Sequence, residues 1–169
     1  MIHVCSLARV DETLAATGAE RLLSLLAAGT AMNRPAAVAA GNHLLLSMHD
    51  IAEARDGLTL PGEEHVQAVL DFARGWARSR PLVVNCFAGI SRSTASAYIV
   101  AAALAPQRDE MELAQTLRAL SPSATPNPRL IALADGLLGR QNRMVKAIAS
   151  IGRGADAYEG TPFCLKIDV

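Results

Sequence analysis

Eight consecutive residues, Cys86-Phe87-Ala88-Gly89-Ile90-Ser91-Arg92-Ser93, place a thiol, a glycine, an arginine and a hydroxyl in one short segment. Leu82-Val83-Val84 precedes them and is wholly apolar, as expected of a strand inside a parallel sheet. Ser93 to Ala105 follows and is apolar on nearly every side, as expected of a central helix. A tight loop from a strand into a helix points several backbone N–H groups inward. With the helix N-terminus they make a cradle for an anion. Gly89 gives the bend conformational freedom, and Arg92 can add a bidentate fork to two phosphate oxygens. The same positive field favours the thiolate of Cys86, the nucleophilic form. A thiolate at the base of such a cradle can attack phosphorus in line. Phe87, Ala88, Gly89, Ile90, Ser91 and Arg92 would then surround the equatorial oxygens as charge develops on them. Ser93 can donate to the sulfur and assist its departure when water cleaves a phosphocysteine.

A leaving alcohol or phenol also needs a proton, and two aspartates upstream are candidates. Asp50 lies in Met48-His49-Asp50-Ile51-Ala52-Glu53, at the end of an expected strand, and Asp56 lies in Arg55-Asp56-Gly57. Asp-Gly is strongly turn-like, which weakens the claim of Asp56. His49 stands beside Asp50, although a lone histidine by a loop is more often structural. Cys5 and Cys164 are the other cysteines. Three cysteines with no metal-site spacing make neither a disulfide framework nor a metal centre. Cys5 reads as an inert strand residue, able to pair with Cys86 only if their Cα atoms approach within about 7 Å.

The elements that must hold these residues alternate. Ile2 to Leu7 reads as a strand, Asp11 to Thr17 as a helix stopped by Gly18, and His43 to Met48 as a further strand, while Glu20 to Ala27 fits both helix and strand periods, with a buried strand favoured. A helix is expected from Glu63-Glu64, with Val66, Val69, Leu70, Ala73 and Ala77 as its apolar face and Pro81 as its end. After the central helix comes an amphipathic one over Glu110 to Leu120. A proline-punctuated loop then leads to one long helix from Asn127 or Pro128 towards Ile151. Phe163 to Val169 alternates as an edge strand would. Strand and helix alternation gives a three-layer α/β/α domain spanning residues 1–169, with a mostly parallel sheet of four to five strands. Ligands of such sheets bind at the carboxyl ends of the strands, where Cys86 lies.

The segment from Cys86 to Ser93 resembles the phosphate loop of protein tyrosine phosphatases, especially the compact dual-specificity type. Their pattern is His-Cys, five residues, Arg, then Ser or Thr, with Gly three after the Cys, and Cys86, Gly89, Arg92 and Ser93 match it. The order of elements from Leu14 to Leu138 resembles the same family, including Asp71-Phe72-Ala73 before the loop and Pro126-Asn127-Pro128 at the turn into the late helix. The resemblance implies a phosphocysteine mechanism without a metal or other cofactor. It favours Asp50 as the acid, because the family's acid follows a strand in a short acidic turn. The more typical distance from the cysteine favours Asp56 instead. It also brings Arg129 towards the rim of the pocket, although an arginine at a helix start is more often simply solvated. One position departs from the pattern: Asn85 stands where the family has His. Asparagine can hydrogen-bond to the backbone but carries no charge, so slower turnover than that of a His variant is expected.

Composition narrows the classes. Of 169 residues, 51% are hydrophobic and 19% charged, and 16 basic residues balance 16 acidic ones. With no basic run, neither nucleic acid nor a membrane surface is expected as partner. No apolar run is long enough to span a bilayer and no leader is visible, so a cytoplasmic location is expected. The expected partner is a phosphorylated protein or a small phosphomonoester, with oligomeric state left open. Two other readings stand beside hydrolysis. One is a phosphate-binding module in which Asn85 marks loss of turnover. The other is a rhodanese-like sulfurtransferase, which needs neither Ser93 nor an acid.

Overall fold

A computed structural model describes residues 1–168. Its sheet has five strands in the order β3-β2-β4-β1-β5. These are β1 (Ile2–Ser6), β2 (Arg21–Leu26), β3 (His43–Ser47), β4 (Leu82–Cys86) and β5 (Phe163–Leu165). β1 to β4 are parallel, and β5 runs antiparallel on the free edge of β1, with Val4 opposite Phe163. The expected terminal strand is therefore present but short. Its last expected residue, Val169, lies outside the described residues.

Period-two alternation sorts the strand residues onto two faces. Val4, Leu23, Leu25 and Val84 face the larger core, roofed by α2 (Glu63–Arg74), α3 (Arg92–Leu104), α4 (Glu110–Leu120), α5 (Pro128–Leu137) and α6 (Arg143–Ser150). Cys5, Leu22 and Val83 face a smaller cluster with Val10 and Leu14 of α1 (Val10–Thr17). Gly18 ends α1 in the left-handed conformation, φ 65°, its N–H bonded to Leu14 O at 3.0 Å. The expected three layers are present, with α1 covering the smaller cluster. α3 runs through the larger core, buried without a break from Arg92 to Ala102. Burial of an Ile99-sized side chain there contributes about 1.5–3 kcal/mol.

Two expected helices differ. α2 stops at Gly75 rather than at Pro81, and Ala77 lies exposed beyond it. Trp76 takes over the anchoring, buried with its Nε1–H on Arg80 O at 2.9 Å, and Arg78 turns the chain towards β4 with φ 58°. The single late helix is two. Gly139, Gln141 and Asn142 all have positive φ, which breaks the helix between Leu137 and Arg143. The buried carboxylate of Asp135 makes the break stable. Its Oδ1 accepts Asn142 N–H at 2.7 Å, and its Oδ2 accepts Met144 N–H at 2.8 Å. It thus caps α6 from the preceding helix. No helix among the described residues is long and apolar enough to cross a membrane.

Candidate active site

Cys86 is the last residue of β4, and Arg92 is the first of α3. The loop between them is held by its carbonyls. Phe87 O accepts Leu7 N–H at 3.1 Å, Ala88 O accepts Gly160 N–H at 2.8 Å, and Ile90 O accepts Thr125 N–H at 3.0 Å. The Thr94 hydroxyl donates to Ile90 O at 2.6 Å and to Ser91 O at 2.9 Å. With these carbonyls engaged, the N–H groups from Phe87 to Ser93 find no protein acceptor among the described residues. A run of free amides at a helix N-terminus is an anion-binding arrangement.

Gly89 is the residue on which this geometry turns. It has φ 72°, and a Cβ built on it would sit 2.7 Å from both Cys5 C and Ser6 N of β1. Backbone on one side and a left-handed conformation on the other exclude any side chain there. Gly160 packs on the same bend, and a Cβ there would lie 2.7 Å from Gly89 O. The tail after α6 thus buttresses the loop. The Ser6 hydroxyl also donates to Glu159 Oε1 beside it. Gly154 N–H donates to Thr125 Oγ1 at 3.1 Å, linking the tail to the loop after α4.

Two of the side chains expected to act are in contact. Cys86 Sγ lies 3.1 Å from Ser93 Oγ, both buried. Arg92 is 6% exposed, and its Nη1 donates to Met48 O at 2.8 Å, just past β3. Its Nε has no acceptor among the described residues. A buried guanidinium tied at one nitrogen and orphaned at another is costly unless an acceptor completes it. A tetrahedral oxyanion is one group that could supply that acceptor, in the bidentate geometry arginine favours. Among the described residues no cluster of His, Cys, Asp and Glu could hold a metal ion.

Asp50 lies at the rim. Its Oδ1 accepts Ser91 Oγ–H at 2.7 Å and Asn127 Nδ2–H at 2.8 Å, whereas Oδ2 has no hydrogen-bond partner among the described residues. Asp50, Ile90, Ser91, Thr125, Asn127 and Arg153 line a cleft of about 370 Å³. Asp56 does not join them. It is exposed in a turn closed by Leu58 N–H on Arg55 O, with no side-chain partner among the described residues. His49 is structural: its Nδ1 accepts Thr59 N–H at 2.9 Å and closes the loop that carries Asp50. Arg129 Nε donates to Pro61 O at 2.5 Å, tying α5 to the start of α2.

Of the other cysteines, Cys5 is buried beside Asn85 in the sheet, and desolvation raises its pKa to about 11. Cys164 lies on β5 opposite His3, and burial raises its pKa as well. Sequence reasoning missed Asn127. It is 2% exposed, caps α5 through Oδ1 with Arg129 and Leu130 N–H at 3.1 Å, and holds Asp50 with its Nδ2. An asparagine before proline at a helix start signals the cap. Nothing in the sequence signals the bond to Asp50.

No family model matches the chain, and no curated protein matches it. Solved structures do. The Cydia pomonella PTP-2 phosphatase is similar with a TM-score of 0.63 at 17% identity, over 80% of this chain and 84% of that one. DUSP15 is similar with a TM-score of 0.62 at 16% identity, over 89% of each chain. Human DUSP28 is similar with a TM-score of 0.56 at 20% identity, over 83% of this chain and 94% of that one. At these identities the likeness is one of architecture: the chain has the α/β fold of the compact dual-specificity phosphatases.

Proposed function

We propose that the protein is a metal-independent phosphomonoester hydrolase acting through a phosphocysteine at Cys86. The observation that carries this reading is a loop whose amides have no protein acceptor among the described residues, running from the buried Cys86 thiol to the buried, half-satisfied Arg92. In this mechanism the Cys86 thiolate attacks phosphorus. The amides from Phe87 to Arg92 and the Arg92 fork hold the equatorial oxygens where their charge grows. Asp50 gives the leaving oxygen the proton carried on Oδ2, the carboxylate atom left free by Ser91 and Asn127. The water that follows attacks phosphorus with Asp50 as base, and the Ser93 hydroxyl stabilises the departing sulfur. Substrates of the class are a phosphorylated protein or a small phosphomonoester.

Hydrolysis of a chromogenic aryl phosphate with a chelator present tests the proposal. Turnover that persists with the chelator and vanishes in Cys86→Ser supports it. Turnover abolished by the chelator, or retained in Cys86→Ser, overturns it. The second reading, a phosphate-binding module with little turnover, rests on the uncharged Asn85. It is the correct one if the native protein binds vanadate without hydrolysing the ester.

A further inference from the structure

The residue that departs from the phosphatase pattern is not isolated. Asn85 is 0% exposed and lies opposite Ser24 on the last paired rung between β4 and β2. Ser24 Oγ and Asn85 Oδ1 are 2.6 Å apart, a hydroxyl-to-carbonyl distance rather than an amide one. The serine's single proton is therefore committed to Asn85. On its other side Ser24 Oγ lies 3.0 Å from His43 Nε2. With its own proton committed, the serine can only accept there, so the imidazole must carry a proton on Nε2. The chain of donors is fixed in direction: His43 Nε2–H to Ser24 Oγ–H to Asn85 Oδ1. Burial, with Arg34 nearby, lowers the His43 pKa and favours the neutral ring, which donates from Nε2 in this arrangement.

We infer that His43 and Ser24 are positioning residues for Cys86, acting through Asn85. The inference rests on the phosphatase reading for its catalytic consequence. Above Asn85 the β2 ladder ends, whereas β1 still pairs Ser6 with Cys86. On its β2 side, the base of the phosphate loop is held by this side-chain strut. The same edge strand serves both halves of the site. His43 begins β3 and reaches Asn85 through Ser24, and Met48, just past the end of β3, receives Arg92 Nη1. Nucleophile and phosphate-binding arginine are thus registered against one strand. An imidazole is present after all, two strands away from the position where the pattern has one. Among the described residues the buried Asn85 Nδ2 group has no partner, so the Oδ1 bond is what orients the amide.

The test is a double-mutant cycle with a conservative rescue, read in two ways. One readout is kcat and KM on an aryl phosphate, and the other is the rate of Cys86 alkylation by iodoacetate. Folding of every variant is checked by its thermal midpoint. His43→Leu and Ser24→Ala should each lower kcat about tenfold with KM nearly unchanged, the pattern of a group that acts on the chemical step. His43→Gln retains an N–H donor and should restore most of the loss. In an Asn85→Ala background, Ser24→Ala should have no further effect, because the strut is already broken. Additive effects, or His43→Gln as impaired as His43→Leu, overturn the inference. His43 is only half-buried, so its variants keep the test decisive if Ser24→Ala fails to fold. If the native protein does not turn over, the hydrolase reading fails. The alkylation rates then still decide the strut.

Discussion

Replacing Gly89 by alanine separates two effects that the structure assigns to one position. The first is conformational. Gly89 has φ 72°, and a left-handed alanine costs about 1–2 kcal/mol. The second is a collision: the new methyl would lie 2.7 Å from Cys5 C and Ser6 N. Those atoms are backbone of β1, paired there with Asn85 and Cys86 of β4, and cannot withdraw as a flexible side chain would. Overpacking of that kind adds about 1–3 kcal/mol. Gly29 supplies the control, with φ 82° and nothing within 4 Å of a built Cβ. Gly29→Ala should show the first effect alone. In urea unfolding, Gly89→Ala should therefore be less stable than Gly29→Ala by about 1–3 kcal/mol. The loop must also move to relieve the contact, and a displacement of order 1 Å at a catalytic loop costs about 100-fold in rate. Aryl phosphate turnover should fall on that scale in Gly89→Ala and stay near native in Gly29→Ala. Equal stability and equal turnover in the two variants would refute the reasoning about the loop.

Other outcomes follow from single contacts. Asp50→Asn should remove the limb of the pH–rate profile that reports a protonated group, whereas Asp56→Asn should leave the profile as it is. Asp135→Ala strips the cap from α6 and leaves the N–H groups of Asn142 and Met144 without their acceptor. It should cost about 1–3 kcal/mol in urea unfolding. His3 and His43 both have pKa values lowered by burial. The unfolded chain therefore binds protons that the folded one does not. Stability should be full above the ordinary histidine value of 6.5 and fall as pH drops through the lowered values. The urea midpoint should follow that slope, and His43→Gln should flatten it.

The sheet and the strand-loop-helix turn from Cys86 to Arg92 were readable because local signals agreed there. Leu82-Val83-Val84 is apolar on both faces, Gly89 marks the bend, and Arg92 opens a helix buried all round. The helix break after Leu137 was not readable, since its determinant is a buried Asp135 reaching Met144 across the turn. A carboxylate at helical spacing reads as a solvated face until its tertiary partners are known. The end of α2 was misplaced for a related reason: Ala77 suits helical spacing, but Gly75 and the anchored Trp76 stop the helix first. The contacts that set Asp50 apart from Asp56 were not readable, because Ser91 and Asn127 meet Asp50 from sequence separations of 41 and 77. The strut from His43 through Ser24 to Asn85 is likewise invisible to spacing, since it depends on which strands are neighbours in the sheet.

The central claim is that Cys86 forms a bond to phosphorus, and its most direct test is to trap that species. Ser93→Ala removes the hydroxyl 3.1 Å from the sulfur and should slow departure of the thiolate. The variant is mixed with an aryl phosphate, quenched in acid within its first turnovers, digested and examined by mass spectrometry. The account predicts one phosphoryl group on the peptide carrying Cys86, released as the quench is delayed beyond substrate exhaustion. Turnover in the native protein with no phosphoryl group on Cys86 at any quench time, or with the group on another residue, would contradict it.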